Sequence, residues 1–489
     1  MTTANDRPIG LEALEHRLRQ DLDWLDYPPK SWCLPRHTDG QRVWDVVVIG
    51  GGMCGLAAAA ALRRLGLDNI TILDSAPEGH EGPWLTYARM ETLRSPKSLT
   101  GPALGLPALT FRAWYEAQFG RAAWDRLGKI PRPQWMDYLV WYRHVLDLAV
   151  RNGVEVTAIQ PRPDGLFDLR LRSDGNPDEA AIARRIVLAT GRDGLGGPYV
   201  PPFARTVDRR LWAHSADDID FGRLAGKRVA VIGAGASAMD NAGEALEAGA
   251  ASLDMLIRRQ DMPRINKMTG IGSQGVVHGF VGLPDAWKWR FLDYAFKEQT
   301  PPPRESTLRV SRHPNARFHF GCPITDLKQV NGALAATTPK GRFDLDFIIF
   351  GTGFMADMSL RPELTAFAPH IRLWSDRYTP PPDEENDELT AFPDLGPAFE
   401  FRERESGSCP ALRHLHCFNF PATLSHGKLS GDIPAVSEGA ERLARGIARS
   451  LFVEDRAQHF ENLKAFDTPE LLGDEWQDAD AEAALPAAP

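Results

Sequence analysis

The sequence has little cysteine, no dominant charge of one sign and no long apolar run. Five cysteines, Cys33, Cys54, Cys322, Cys409 and Cys417, are scattered over 489 residues without a C-x-x-C. That pattern argues against a disulfide framework, a zinc site and a dithiol redox centre, and a reducing cytoplasm is the expected location. Lys and Arg number 56 against 65 Asp and Glu, a formal net charge of -9 with no basic block. A phosphate backbone finds no electrostatic footprint in such a chain, so nucleic acid is not an expected partner. The longest apolar stretch, Val46 to Leu62, contains Gly50, Gly51, Gly52 and Gly55 and falls short of the roughly 20 residues that cross a bilayer. It reads as strand, turn and helix, and no membrane partner is expected. The amino-terminal LEALEHRLRQDLDWL interleaves acids and bases as a short amphipathic helix, without the charged-then-apolar order of a signal peptide.

What the chain does have is two glycine-rich turns of one design, VVVIGGGMCG at 46–55 and VAVIGAGASA at 229–238. A composition of 43% apolar and 25% charged residues is that of an ordinary globular protein, long enough for two or three domains. In the first unit a β-rich run at 44–49 leads into Gly50, Gly52 and Gly55 at G-x-G-x-x-G spacing. The helix LAAAAALRRLG and the strand NITIL follow, ending in Asp74. The first glycine permits a tight turn, the second lets backbone approach a pyrophosphate, and the third lets helix pack on strand. The helix N-terminus offers unpaired N–H groups to the phosphates, and Asp74 is placed to accept ribose hydroxyls.

The second unit changes one detail that bears on the ligand. KRVAVIG is the strand, Gly233 and Gly235 open the turn, and Ala238 stands in for the third glycine. The next strand, LDMLI, ends in Arg258 and Arg259 instead of an acid. Guanidinium groups grip a 2′-phosphate that a carboxylate would repel, so NADPH is favoured over NADH. A solvated arginine pair at a strand end is the alternative. Two further strands, IVLATGRDG at 186–194 and FIIFGTGF at 347–354, each break on a small-Thr-Gly turn and bracket this unit. LGGPYVPPF after the first reads as a hinge.

Two ordered dinucleotide turns, the intervening LATG, the later FGTGF and the tryptophan of EGPW resemble the class B flavoprotein monooxygenases. These comprise the flavin-containing, Baeyer-Villiger and N-hydroxylating monooxygenases, and the similarity runs over about residues 44–455. The resemblance implies an α/β fold of two Rossmann-like dinucleotide-binding domains, with the NADPH domain inserted into the FAD domain. The expected boundaries are a helical extension at 1–40, the first part of the FAD domain at 41–205, the NADPH domain at 206–346, the rest of the FAD domain at 347–465, and an acidic tail at 466–489. It further implies that FAD sits at the first turn and NADPH at the second. Trp84, Thr190, Gly191, Ser237 and Thr352 then join the glycines, Asp74 and the two arginines as cofactor-binding residues.

Departures from the family pattern are as informative. Flavin-containing and Baeyer-Villiger enzymes carry F-x-G-x-x-x-H followed by an aromatic before the second turn. DRRLWAHSADDIDF keeps His214 but has Asp208, Arg210 and Asp218 at the other places, which shades the expectation toward oxidation at nitrogen. His214 reads equally as a capping or domain-interface residue. TLRSPKSLTGP resembles a flavin-side stretch of the flavin-containing monooxygenases, with Arg94 where they have asparagine. Arg94 and Lys97 are therefore catalytic candidates, able to hold an anion near the flavin, although Arg94 paired with a carboxylate is the bland alternative. Near the carboxyl end SHG resembles THG of the N-hydroxylases. The helix that follows implies a positive N-terminus toward the flavin pyrimidine, with Gly431 and Asp432 closest and His426 a third catalytic candidate. His414 and His416 of HLH read as packing residues, and no metal site is expected.

The expected function is therefore an NADPH-dependent FAD monooxygenase. It would form a peroxyflavin in a dry cavity and insert one oxygen atom into a small molecule, foremost at nitrogen. Baeyer-Villiger or sulfur oxygenation, a flavin oxidase or reductase, and a non-catalytic nucleotide sensor are the alternatives. O2 and a small substrate are the expected partners, with a homodimer left open. Aromatics in LTFRAWYEAQFG, QWMDYLVWYRH and AWKWRFLDYAF suggest helices around an apolar pocket.

Overall fold

A strand buried on both faces must lie inside a layered sheet, and Trp44–Ile49, buried from Asp45 onward, does so. The computed structural model describes residues 8–173 and 179–479. Trp44–Ile49 pairs in parallel with Ile70–Leu73 on one side and Glu179–Leu188 on the other, at the centre of a seven-stranded sheet. Phe167–Ser173 and Val154–Pro161 extend that sheet antiparallel, and Leu415–Cys417 returns from far along the chain to pair with Glu179–Leu188. The helix Met53–Arg63 is small-faced through Ala57 to Ala61 and almost wholly buried. The last long helix, Val436–Glu454, packs along it. Its stripe of Val436, Ala440, Leu443, Ile447 and Leu451 has the three-and-four spacing of an amphipathic helix.

The second sheet has five strands, all parallel, in the order Trp212–His214, Phe347–Phe350, Arg228–Ile232, Ser252–Leu256, Ala316–His319. Its residues divide by the period-two rule of a strand. Val229 and Val231 face a core with Met239 and Val310 of the flanking helices, while Ala230 and Ile232 face the antiparallel meander 326–345. Two strands connect the lobes, Gly196–Pro198 against Phe354–Ala356. A third, smaller core of Phe280, Trp289, Leu292, Trp374, Phe392 and Leu424 joins the helix Asp285–Glu298 to segments that follow the insertion.

One expected boundary is corrected. The strand Phe347–Phe350 was assigned to the resumed FAD domain, but it is hydrogen-bonded between two strands of the inserted sheet. The return to the first lobe comes only at Phe354–Ala356. The helix Leu11–Trp24 lies in the helical extension expected at 1–40, with Leu14 and Leu18 buried in the core of the first lobe. Of the acidic tail, residues 466–479 are exposed, and 480–489 lie outside the described residues.

Beneath the first sheet lies a charged network. Arg184, fully buried, pairs with Asp45 at 3.1 Å and Asp455 at 2.8 Å, and Arg185 pairs with Glu454 at 2.7 Å. Arg36 closes it on Asp455 at 2.5 Å.

Candidate active site

Both glycine turns open into one cavity of about 2320 Å3 between the lobes. The turns are built alike. Gly50 has φ 105° and Gly233 has φ 121°, a left-handed backbone that glycine tolerates. A Cβ on Gly50 would lie 2.4 Å from the carbonyl oxygen of Ala189, and one on Gly233 2.5 Å from that of Gly351. Each small-Thr-Gly turn thus presses a carbonyl onto the first glycine of its own nucleotide turn, which is why Gly351 and Thr352 belong with the second unit. Ala238 is accommodated by the same residue, since a Cβ on Gly351 would stand 2.7 Å from the Ala238 Cβ.

These crowded, side-chain-free concavities at helix N-termini fit two dinucleotides. Gly50, Gly52, Asp74, Trp84, Thr190, Gly191, Gly431 and Asp432 line the first part of the cavity, and Gly233, Gly235, Ser237, Arg258 and Thr352 the second. Gly55 lies behind the first turn, where its Cβ would collide with the Gly50 carbonyl oxygen at 1.8 Å. The Asp74 carboxylate accepts the backbone N–H groups of Gly51 at 2.6 Å and Ala76 at 2.8 Å, and burial raises its pKa against those bonds. It closes the turn with one lone pair of each oxygen and keeps others for a hydroxyl. Beyond the second turn, Asn241 is buried with its Oδ1 unbonded at the cavity wall.

Not every expected residue reaches the cavity. Lys97, expected beside the flavin as a second cation, is corrected to a structural clamp: its ammonium donates to the carbonyl oxygens of Trp124 at 2.5 Å and Leu127, and lies over the Trp124 ring. Arg259 turns aside to the carbonyl of Lys297 at 2.6 Å, so Arg258 alone of the pair lines the cavity. His426 touches the cavity wall but is otherwise enclosed. Its Nε2 bonds the Gly396 carbonyl oxygen at 2.9 Å, Arg442 approaches Nδ1 at 3.3 Å, and the ring stacks on Phe399 at 3.8 Å. Since arginine only donates, the proton sits on Nε2. Burial, with Arg442 alongside, pushes this imidazole down to about 3. A neutral ring with both nitrogens engaged is a strut and not a proton carrier, which corrects its catalytic assignment.

Arg94 does line the cavity, without an ion pair among the described residues. Desolvation lowers its pKa and Asp432 opposes the shift. His214 occupies the lobe junction, where Nδ1 accepts the Ala216 N–H at 3.1 Å and Nε2 donates to the Gly353 carbonyl at 3.0 Å. Arg89 ties the lobes together by donating to the carbonyls of Ser215 at 2.8 Å and Asp217 at 2.7 Å.

Several cavity residues belong to no recognisable motif. Asp240, on the helix after the second turn, is pushed up to about 6 by burial against its Ser306 hydrogen bond. Arg192, Phe296 and Phe420 form an aromatic corner. Arg192 directly follows the ATG turn within IVLATGRDG, and Phe420 lies six residues before His426, between HLH and SHG. Their chemistry depends on contacts that no local pattern encodes.

Comparison with known proteins accords with this geometry. The model of the pyridine nucleotide-disulphide oxidoreductase family matches residues 47–269. The FAD-dependent urate hydroxylase of Xanthomonas campestris is 40% identical over 467 residues, covering 95% of this chain and 98% of that one. Among solved structures, the ornithine hydroxylase of Pseudomonas aeruginosa superposes with a TM-score of 0.66 at 16% identity, covering 84% of this chain and 100% of that one. A Kutzneria ornithine N-hydroxylase, solved with reduced FAD, NADP+ and L-ornithine, gives 0.63 at 17% identity over 83% of this chain and 99% of its own. At such identity these two speak for the fold alone. Among the described residues no helix is long and apolar enough to cross a membrane. With two dinucleotide turns facing one cavity and a full-length relative at 40% identity, the chain belongs to the class B flavoprotein monooxygenases and is an FAD- and NADPH-dependent enzyme.

Proposed function

We propose that this enzyme hydroxylates urate or a closely related oxypurine. The observation that carries the reading is the 40% identity to a urate hydroxylase over 95% of this chain. When bound, FAD supplies reduction by the pyridine nucleotide and activation of O2, one oxygen atom entering the substrate and the other leaving as water.

The protein's own part is to bind, orient and keep dry. The N-termini of Met53–Arg63 and Ala236–Glu247 face the cavity with unpaired N–H groups for pyrophosphates. Arg258 offers its guanidinium to a 2′-phosphate, and Arg94 offers a second cation where Gly431 and Asp432 meet the cavity. His426, Leu292 and Phe280 give the cavity a buried and largely apolar wall, which would disfavour water beside a bound flavin.

Nitrogen oxidation is the second reading, favoured by the S-H-G stretch, whose His426 and Gly427 lie at the cavity wall. One experiment separates the two. The purified holoenzyme is given NADPH with urate, ornithine or lysine, and the product mass is checked for one added oxygen. Coupled consumption with urate is expected. Oxygenated ornithine or lysine with no reaction of urate would transfer the assignment to nitrogen oxidation, and stoichiometric peroxide without product would make the protein an oxidase.

A further inference from the structure

We propose that Arg192 and Glu388, beside the half-exposed rings of Phe296 and Phe420, form the subsite that recognises the substrate as a flat anion. The inference rests on the oxypurine reading and adds to it the residues that select the substrate.

Phe420 is fixed between the two segments expected to hold the flavin. Its N–H reaches the Gly191 carbonyl at 3.3 Å, and its Cα lies 3.6 Å from where a Cβ of Gly431 would stand. A molecule resting on this ring is therefore next to the flavin end of the cavity. Phe296 comes from the opposite side, on the helix Asp285–Glu298, with its ring nearly parallel to Phe420 at 11° and 6.5 Å between centroids. Phe392, buried, braces both edge-on at 6.4 Å and 5.9 Å. Two parallel aromatic planes held by a third ring suit a flat heteroaromatic guest.

Charge narrows the class. The Arg192 guanidinium lies 4.2 Å above the Phe420 centroid and forms no ion pair among the described residues. Resting on the ring restrains it while leaving its N–H groups for an oxyanion or a pair of carbonyl oxygens. Glu388 lines the same corner with its side chain open to solvent; desolvation by the surrounding wall raises its carboxyl, and the field of Arg192 draws it back down. One donor fork and one carboxyl match a ring edge that alternates acidic oxygens with N–H groups, as an oxypurine anion does. A flexible ammonium substrate would meet repulsion from Arg192, and the attraction that the Phe420 ring and Glu388 hold for a cation is already engaged by that guanidinium.

The test measures urate binding to the oxidised holoenzyme and urate KM in Arg192→Gln, Arg192→Lys and Arg404→Gln. Arg404 is a surface arginine paired with Asp376 at 3.1 Å, and flavin absorbance reports that each variant is folded. Loss of a charge-assisted contact predicts urate Kd and KM raised about tenfold or more in Arg192→Gln. Arg192→Lys should recover part of the loss and Arg404→Gln should bind as the wild type. Equal urate binding by Arg192→Gln and wild type would overturn the subsite. If the wild type neither binds nor oxidises urate, the oxypurine reading fails separately, and xanthine, a second flat oxypurine, becomes the probe: Arg192-dependent binding supports the subsite and Arg192-independent or absent binding overturns it.

Discussion

Two sets of arginines in one chain are treated in opposite ways. Behind the first sheet, Arg184 and Arg185 are buried and every charge near them is answered by Asp45, Asp455 or Glu454. Around the cavity, Arg94, Arg192 and Arg258 form no ion pairs among the described residues and face open volume. A buried pair returns little net energy, because desolvation consumes the Coulombic gain, but breaking it is expensive. An unpaired guanidinium in a concave site retains its donors for a ligand. The rear set ties the sheet to the end of the last long helix, and the cavity set waits for anions.

The same substitution in each set should therefore fail in different ways. Arg184→Ala leaves Asp45 buried without its cation and Asp455 with Arg36 alone, so a loss of about 3–5 kcal/mol of folding stability is expected, read by chemical denaturation. A loss below about 1 kcal/mol would erase the distinction between the sets.

Acid should expose the rear region next. Burial, with Arg185 nearby, holds His416 at about 4 instead of its ordinary 6.5, against the pull of its bond to the Ala398 carbonyl. The unfolded chain binds this proton first, so the contribution is fully present above pH 6.5 and is lost as pH falls toward 4. For this group alone the loss at the lower end is on the order of 3 kcal/mol. His416→Asn, which keeps a donor for Ala398, should flatten the dependence of the denaturation midpoint on pH; an unaltered slope would remove His416 as its source.

The smallest of the three effects falls on the cavity. Arg258→Ala should lower the preference for NADPH over NADH in kcat/KM by about tenfold, with no loss of denaturation midpoint. An unchanged preference would place the 2′-phosphate elsewhere.

Much of the nucleotide-binding design was legible in order along the chain, because a turn that must admit a pyrophosphate constrains consecutive residues. Gly50, Gly52, Asp74, Gly233, Gly235 and Arg258 stand at the cavity wall in the order that such a turn implies. The strand Phe347–Phe350 was misassigned because its composition would suit either sheet, and pairing partners far away in sequence decide which one takes it. Lys97 and His426 were misjudged for a related reason. A side chain's type states what it can donate or accept, while the carbonyls of Trp124, Leu127 and Gly396 that engage them are supplied by other segments.

By itself the sequence determined two dinucleotide units, their order and the chemistry of their turns, since those properties are local. Only the tertiary structure decided which cations stay unpaired and which rings meet across the cavity. Arg192, Phe296 and Phe420 each lie more than 100 residues from the next, and their juxtaposition exists only after two sheets and a third core have packed around one shared volume.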